Sequence, residues 1–310
     1  MSMNKIRIGS RKSILAMKQS ELVKEELQKL GIPHVEIIPF DTSGDQNQKQ
    51  CLTEIGGKGI FTEEIEKSLL NKDIDIAVHS LKDLPVVLST PFQLSGVLKR
   101  EDPRDAFLSC CYRSIDDIPN AGIVATSSVR RRAFLLSYRP DLQCVPIRGN
   151  VQTRYNKCMT GKIDGTIMAF AGLKRCNMES HIQSILPPSI MLPSPGQGAI
   201  ALETLKNSPI HEIVSLINDS KTFLETSCER ILLSLLGGGC HTPFGAIATI
   251  CHNTIDLHAC IVSLDGKTKC ETKQTGYAEE WIEVAKEAFK DLQSQGVSTV
   301  LKEMDTNEKK

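Results

Sequence analysis

Apolar positions in the opening third of the chain alternate between strand and helix spacing. Ile6 to Ile8, bracketed by Lys5 and Arg7, reads as a strand that turns at Gly9-Ser10. A helix then runs through Leu30, with Leu15, Leu22, Val23, Leu27 and Leu30 as its apolar stripe. Gly31 and Pro33 stop it, because glycine accepts the left-handed conformation past a helix end and proline cannot continue the hydrogen-bond ladder. Val35 to Phe40 resumes extended chain. After a polar stretch and Gly56-Gly57-Lys58-Gly59, a second helix is predicted with Phe61, Ile65 and Leu69 on one face, followed by a short strand from Ile74 to Val78. Alternation of this kind predicts an α/β domain.

A second cycle begins after Asp102-Pro103-Arg104. It has a strand at Ile123 to Ala125, a helix from Ser128 to Tyr138, and further strands at Cys144 to Ile147 and Gly165 to Ala169. Pro187-Pro188 and Pro193-Ser194-Pro195-Gly196 punctuate its end and mark a crossing or hinge. The last third opens with a helix from Lys221 through Leu236. Strand-like runs at Ala246 to Ile250 and Leu257 to Val262 follow, then a helix whose Ile282, Ala285, Phe289 and Leu292 share a face. That pattern predicts a small α+β domain, with a polar, frayed tail after Met304.

Length and composition narrow the picture. A chain of 310 residues with 40% hydrophobic content supports two or three ordinary cores. It has no apolar run of about 18 residues that would suggest a membrane span. Its start, Met-Ser-Met-Asn-Lys, leads into a strand without an apolar leader, which points to the cytoplasm. Eleven cysteines at irregular spacing do not read as a disulfide framework, and most are expected to be reduced. Cys251, Cys260 and Cys270 lack a CxxC pair or a matching histidine pattern, so no metal site is expected.

The formal charge is zero, yet from Thr126 to Arg175 ten Lys and Arg residues face only Asp141 and Asp164, an excess of eight positive charges. Such a segment suits an anion. The aromatics there, Phe134, Tyr138, Tyr155 and Phe170, are not interleaved as stacking platforms for nucleic acid. A small polyanionic ligand fits better, and a solvated surface is the plain alternative.

Several stretches could carry chemistry. His79-Ser80-Leu81-Lys82-Asp83 follows a strand end, where open α/β folds face their ligands. Asp83 could hydrogen-bond a nitrogen and stabilise a developing cation, and Lys82 could meet a carboxylate. Alternatively Asp83 caps or pairs locally, and His79 reads as structural slightly more than catalytic. In Thr126-Ser127-Ser128-Val129-Arg130-Arg131-Arg132, helix N-terminal amides and guanidiniums can grip carboxylates, although three consecutive arginines cannot share one helical face. Arg148, Arg154 and Arg175 add charge at other element ends. Gly56-Gly57-Lys58-Gly59 lacks the spacing of a phosphate-binding loop and is either a mobile site loop or a turn. Gln197, between two glycines, contacts substrate or completes a turn. Cys240, ending Leu235-Leu236-Gly237-Gly238-Gly239-Cys240, has three readings: a reactive thiolate, a covalent attachment point, or a structural cysteine.

Together these segments resemble the porphobilinogen deaminase (hydroxymethylbilane synthase) family. The matching motifs are Arg7-Ile8-Gly9-Ser10-Arg11, Gly57-Lys58-Gly59, His79-Ser80-Leu81-Lys82-Asp83-Leu84-Pro85 and Thr126-Ser127-Ser128-Val129-Arg130-Arg131. They continue through Arg148-Gly149-Asn150-Val151-Gln152-Thr153-Arg154, Ala171-Gly172-Leu173-Lys174-Arg175, Pro195-Gly196-Gln197-Gly198 and Gly238-Gly239-Cys240 with Pro243. The resemblance implies a three-domain monomer with two periplasmic-binding-protein-like α/β lobes, an active cleft between them, and a small α+β C-terminal domain. On that plan residues 1–99 and 200–219 form domain one, 100–199 domain two, and 220–310 the cofactor-carrying domain.

The activity implied is that of a transferase of tetrapyrrole and heme biosynthesis. It joins four porphobilinogen units head to tail with loss of ammonia and releases 1-hydroxymethylbilane. A dipyrromethane cofactor is implied on Cys240 through a thioether, and Asp83 is implied as the catalytic carboxylate that meets pyrrole N–H groups and stabilises the azafulvene-like cation. Asp83, Lys82, Ser80, Ser128, Arg130, Arg131 and Gly172 are the implied cofactor contacts. Arg11, Gln19, Lys58, Arg148, Arg154, Arg175 and Gln197 are the implied contacts of substrate and the growing linear pyrrole chain. No nucleic acid or membrane partner is implied.

Three positions depart from the family pattern. Glu54 and Glu63 stand where lysine is frequent, and Gly237 replaces an acidic residue, which would make the cofactor loop more flexible. The alternative from a different class is a non-catalytic, two-lobed small-anion binding protein, which accounts for the α/β pattern and the positive segment but gives Cys240 no role.

Overall fold

The computed structural model describes residues 5–41, 62–239 and 241–307, with side chains as far as Lys302. The chain divides into two compact units, Met1–Glu101 with Ala199–Phe223, and Asp102–Gly198 with Leu224–Lys310.

In the first unit a five-stranded sheet runs in the order His34–Phe40, Lys5–Arg11, Ile76–Ser80, Ile200–Leu205, Phe92–Val97. The first three strands are parallel, and Ile200–Leu205 is antiparallel to both of its neighbours. Ile6, Ile8, Ile76, Val78, Ile200 and Leu202 form one core with Val23 and Leu27 of the helix Ile14–Lys29 and with Ile210 and Val214 of the helix Ile210–Ile217. A second core joins Ile65 and Leu69 of the helix Glu63–Leu70 to Ile74, Ala77 and Phe92.

Gly9 and Ser10 continue the first strand instead of turning it. A Cβ at Gly9 would crowd the side-chain end of Ile74, with Ile65 and Phe40 next to it, so the glycine makes room for these core side chains. The first helix buries Val23 and Leu27 of the stripe that the apolar spacing suggests, but its buried face is rotated away from the rest of it. Leu22 and Leu30 are exposed, whereas Ala16, Gln19, Ser20, Val23 and Leu27 are buried. The third strand lies two residues later than the apolar run predicts, which brings His79 and Ser80 into the sheet. Phe61 and the Gly56 to Gly59 loop lie outside the described residues.

The second unit holds another five-stranded sheet, ordered Gln143–Val145, Ile123–Ala125, Gly165–Ala169, Asp105–Leu108, Ser184–Ile185. The first three strands are parallel, and Asp105–Leu108 is antiparallel to both neighbours. A smaller α+β C-terminal domain follows, with the antiparallel strands Phe244–Cys251, Thr254–Val262 and Lys269–Tyr277 and the helices Trp281–Ser294 and Val297–Asn307. The molecule thus has two larger sheet-containing lobes and a smaller C-terminal domain. Cys260 and Val262 of the small sheet are buried in one cluster with Phe107, Val124, Phe134, Ile167 and Leu192 of the second lobe.

Lys269–Tyr277 escaped the hydropathy pattern because only Cys270 and Thr272 of its nine residues are buried. The segment after Met304 continues as helix to Asn307. In the helix Trp281–Ser294 the buried face is Val284, Ala285, Ala288 and Leu292, and Ile282 is exposed.

Gly245 lies where the small sheet comes close to the second lobe. A Cβ there would lie 2.6 Å from Leu192 Cβ and 2.7 Å from Leu192 O. Gly245→Ala is expected to destabilise the protein by about 1–3 kcal/mol, the usual cost of overpacking against backbone. A urea midpoint equal to the parent's would refute this.

Candidate functional site

In the first unit, Lys5–Arg11 and Ile76–Ser80 are parallel neighbours, so Arg11 and Ser80 end on the same edge of the sheet. In open α/β sheets this is the edge that faces ligands. Gln19, only 2% exposed, donates from Nε2 to Ser80 Oγ at 2.9 Å. The structure therefore makes Gln19 the residue that orients Ser80. The 3₁₀ turn Leu81–Asp83 is anchored by Leu81, whose N–H donates to Ala199 O at 3.1 Å, and by the buried Leu84. With both leucines turned inward, Lys82 is half-buried and Asp83 exposed. Asp83 is the last residue of this turn and Ser80 holds the N-cap position, so Asp83 does not cap its own helix. His79 is structural in geometry: it is buried, with Nε2 3.0 Å from Oε2 of the fully buried Glu203.

In the second unit, three loops and one strand start share an edge. The strands Ile123–Ala125, Gln143–Val145 and Gly165–Ala169 all end there, and the antiparallel Asp105–Leu108 begins there, with Asp105 opposite Ala169. Ser127 ties two of the loops, donating from Oγ to Ile147 O at 2.7 Å and accepting from Ile147 N at 3.0 Å. Ser128 is the N-cap of the helix Val129–Tyr138, its side chain accepting from Arg131 N. The next loop carries half-buried Arg148 and leads to Asn150, the N-cap of the helix Val151–Cys158. Arg154 on that helix donates from Nε to Gly149 O at 2.8 Å. Arg175 closes the helix Phe170–Arg175, which contains the buried Gly172, and donates to Gly198 O at 2.6 Å.

Arg130 and Arg131 differ from a surface clamp. They are 5% and 7% exposed, and both grip Asp105, which is wholly buried. Arg130 donates to Asp105 Oδ2 at 2.7 Å and to Leu192 O at 2.5 Å. Arg131 donates to Asp105 Oδ1 from Nε at 3.1 Å and from Nη2 at 2.7 Å, and to Ile167 O at 3.0 Å. Gln197, 1% exposed, completes the cluster with Nε2 3.0 Å from Asp105 Oδ1 and 2.6 Å from Pro103 O. Burial by itself would raise the Asp105 pKa. The charges of Arg130 and then Arg131, with their hydrogen bonds, outweigh it and hold the carboxyl well below the usual carboxylate range. Two guanidiniums around one carboxylate leave one net positive charge beside a helix N-terminus, a setting that favours an added carboxylate.

Arg132 is the arginine left facing solvent. The positive excess of the segment is one charge smaller in space than in sequence, since Asp105, which lies outside the segment, offsets one of the two charges of Arg130 and Arg131.

Cys240 and Lys58 lie outside the described residues, but the chain leading to Cys240 is well defined. The helix Ser220–Leu235 ends in a Schellman motif: Gly238 N donates to Leu233 O at 3.0 Å and Gly237 N to Ser234 O at 2.9 Å. Gly237 sits at φ +67°, in the left-handed region that glycine adopts at least cost. It serves as the stop of this helix. Thr242 closes the other side, with Gly239 N donating to Thr242 Oγ1 at 2.9 Å and Thr242 N to Gly239 O at 3.0 Å. Glu63, the other described departure, is exposed and pairs with Lys67 one turn along its helix.

Comparison with known proteins decides what this arrangement belongs to. The family model described as "Porphobilinogen deaminase, dipyromethane cofactor binding domain" matches residues 6–212, and "Porphobilinogen deaminase, C-terminal domain" matches residues 223–294. The chain belongs to the porphobilinogen deaminase family. A porphobilinogen deaminase of Syntrophomonas wolfei is 42% identical over 302 residues, 96% of this chain and 98% of that one. One from Francisella philomiragia is 44% identical over 275 residues, covering 88% and 92%. Among solved structures, the methionine-binding protein MetQ aligns at a TM-score of 0.44 and 11% identity, covering 74% of this chain and 94% of that one.

The cofactor named for the matched domain, dipyrromethane, bears several carboxylates, and the donor set fits it. Arg148, Arg154, Arg175, the Ser128-capped helix start and the net-positive Arg130–Arg131–Asp105 cluster share one edge of the second lobe. Asp105 itself was not legible as a site residue. The available signal was an acidic residue opening the apolar run Ala106-Phe107-Leu108, a position that ends buried only when paired.

Proposed function

We propose that the chain is a hydroxymethylbilane synthase that condenses four porphobilinogen molecules head to tail, with loss of ammonia, and releases 1-hydroxymethylbilane. The observation that carries this reading is the ordered match of both family domains across residues 6–294. Bound dipyrromethane, attached at Cys240 through a thioether, supplies the electron-rich pyrrole to which substrate units are added.

The chain's own residues do the rest. Asp83, exposed on a turn that Leu81 and Leu84 hold rigid, accepts hydrogen bonds from pyrrole N–H groups and stabilises the positive charge left on a substrate methylene as ammonia departs. Lys82 meets a substrate carboxylate, and Gln19 fixes Ser80 for a neighbouring contact. Arg11, Arg148, Arg154 and Arg175 bind acetate and propionate groups at strand and helix ends. Lys58 is assigned a substrate contact by motif alone. Arg130 and Arg131 act through the residual charge of their cluster, and Gln197 positions Asp105 within it. The same reading makes the enzyme a cytoplasmic monomer.

Intact mass before and after denaturation tests the covalent primer. A retained adduct of two porphobilinogen-derived units, mapped to the Cys240 peptide and lost in Cys240→Ser, is expected. Unmodified Cys240 after expression with substrate available would overturn the assignment in favour of an anion-binding protein.

A further inference from the structure

Cys110 and Cys111 take no part in the chemistry above, and both are exposed with their Sγ atoms 3.1 Å apart. That separation is too long for a disulfide bond of about 2.0 Å. Adjacent residues also hold their Cα atoms at about 3.8 Å, inside the roughly 4.4 Å lower limit of ordinary disulfides. Direct oxidation of this pair is therefore strained, whereas one larger atom inserted between the sulfurs can bond to both.

The backbone beneath them is fixed. Ser109, 2% exposed, donates from Oγ to Asp164 O at 2.5 Å and accepts from the N–H groups of Cys111 at 3.1 Å and Tyr112 at 3.0 Å. Ser109 O accepts from Gln183 Nε2 at 3.3 Å. Nearby Cys158 is not available as a third ligand: it is buried, its Sγ donates to Leu108 O at 3.4 Å, and burial pushes its thiol up to about 11. Exposed Cys251 has His252 Nδ1 beside it at 3.3 Å and no second thiol in that contact.

We propose that Cys110 and Cys111 form a two-thiol chelating site for trivalent organic arsenicals of the form R–As(OH)₂. Two As–O bonds break and two As–S bonds form. Each thiol proton leaves with a displaced hydroxide as water, and arsenic stays trivalent. The second As–S bond forms within the molecule, which raises retention by about a hundredfold or more over a single thiol. The pair follows the end of the strand Asp105–Leu108 opposite to Asp105, roughly 10 Å along the strand. Loading therefore leaves the arginine-bearing edge intact.

The holoprotein, treated with phenylarsine oxide and washed with excess monothiol, is expected to retain one phenylarsenic group per chain by intact mass, mapped to the Cys110–Cys111 peptide. A dithiol should release it, and deaminase activity should be unchanged throughout. Cys110→Ser and Cys111→Ser should each lower retention by about a hundredfold, while Cys251→Ser retains it. Undiminished retention in either single variant, or release from the parent by monothiol as fast as from Cys110→Ser, would overturn the proposal.

Discussion

Asp83→Asn, prepared with its cofactor attached, is expected to turn over about 10²–10⁴-fold more slowly than the parent, the usual effect of losing a carboxylate that assists proton movement. The loss should fall on kcat and leave KM nearly unchanged, because the carboxylate assists the developing charge more than ground-state binding. Stability should not move. Asp83 is exposed, and the turn that carries it is held by the buried Leu81 and Leu84. Single-turnover ammonia release separates chemistry from binding, and a variant as fast as the parent would remove Asp83 from the mechanism.

Asp105→Asn is expected to cost about 3–5 kcal/mol of stability at neutral pH, the range for removing one partner of a buried ion pair. The carboxylate is wholly buried and accepts from Arg130, Arg131 and Gln197, so the amide leaves two buried guanidiniums without their counter-charge. The pH dependence has a definite sign. An aspartate whose folded pKa is depressed contributes stability that is fully present above its unfolded value of about 3.9 and is lost as pH falls toward the folded value. The parent should therefore lose stability on acidification below about pH 4, and Asp105→Asn should lose less over the same range. Urea unfolding across pH measures both. Equal stability of the two proteins at neutral pH, or identical acid slopes, would show that Asp105 does not hold the arginines. Reduced cofactor loading, read by intact mass, should accompany the stability loss.

Element type was largely legible because burial in parallel strands and one-sided helices leaves periodic apolar residues, as in Ile123–Ala125, Gly165–Ala169 and Trp281–Ser294. Elements whose burial comes from distant partners were not. Phe92–Val97, with Gln93, Ser95 and Gly96, gains its place by pairing with Ile200–Leu205 and by burying Phe92 and Val97 against distant residues. Leu22 looked like core and is exposed, while Gln19, outside the apolar stripe, is buried and hydrogen-bonded to Ser80. A helical wheel gives spacing but not the rotation at which a helix meets its sheet.

The motif residues Asp83, Ser128, Arg148 and Arg154 stand at strand ends and helix starts and Arg175 at a helix end, and the sequence by itself determined those places, since local turn and capping chemistry sets them. The tertiary structure alone decided what the arginine run does. Residue 105 meets residues 130 and 131 only because an antiparallel strand returns its first residue to the edge where Ile123–Ala125 ends, and a charge so buried persists only where the fold brings its partners to it.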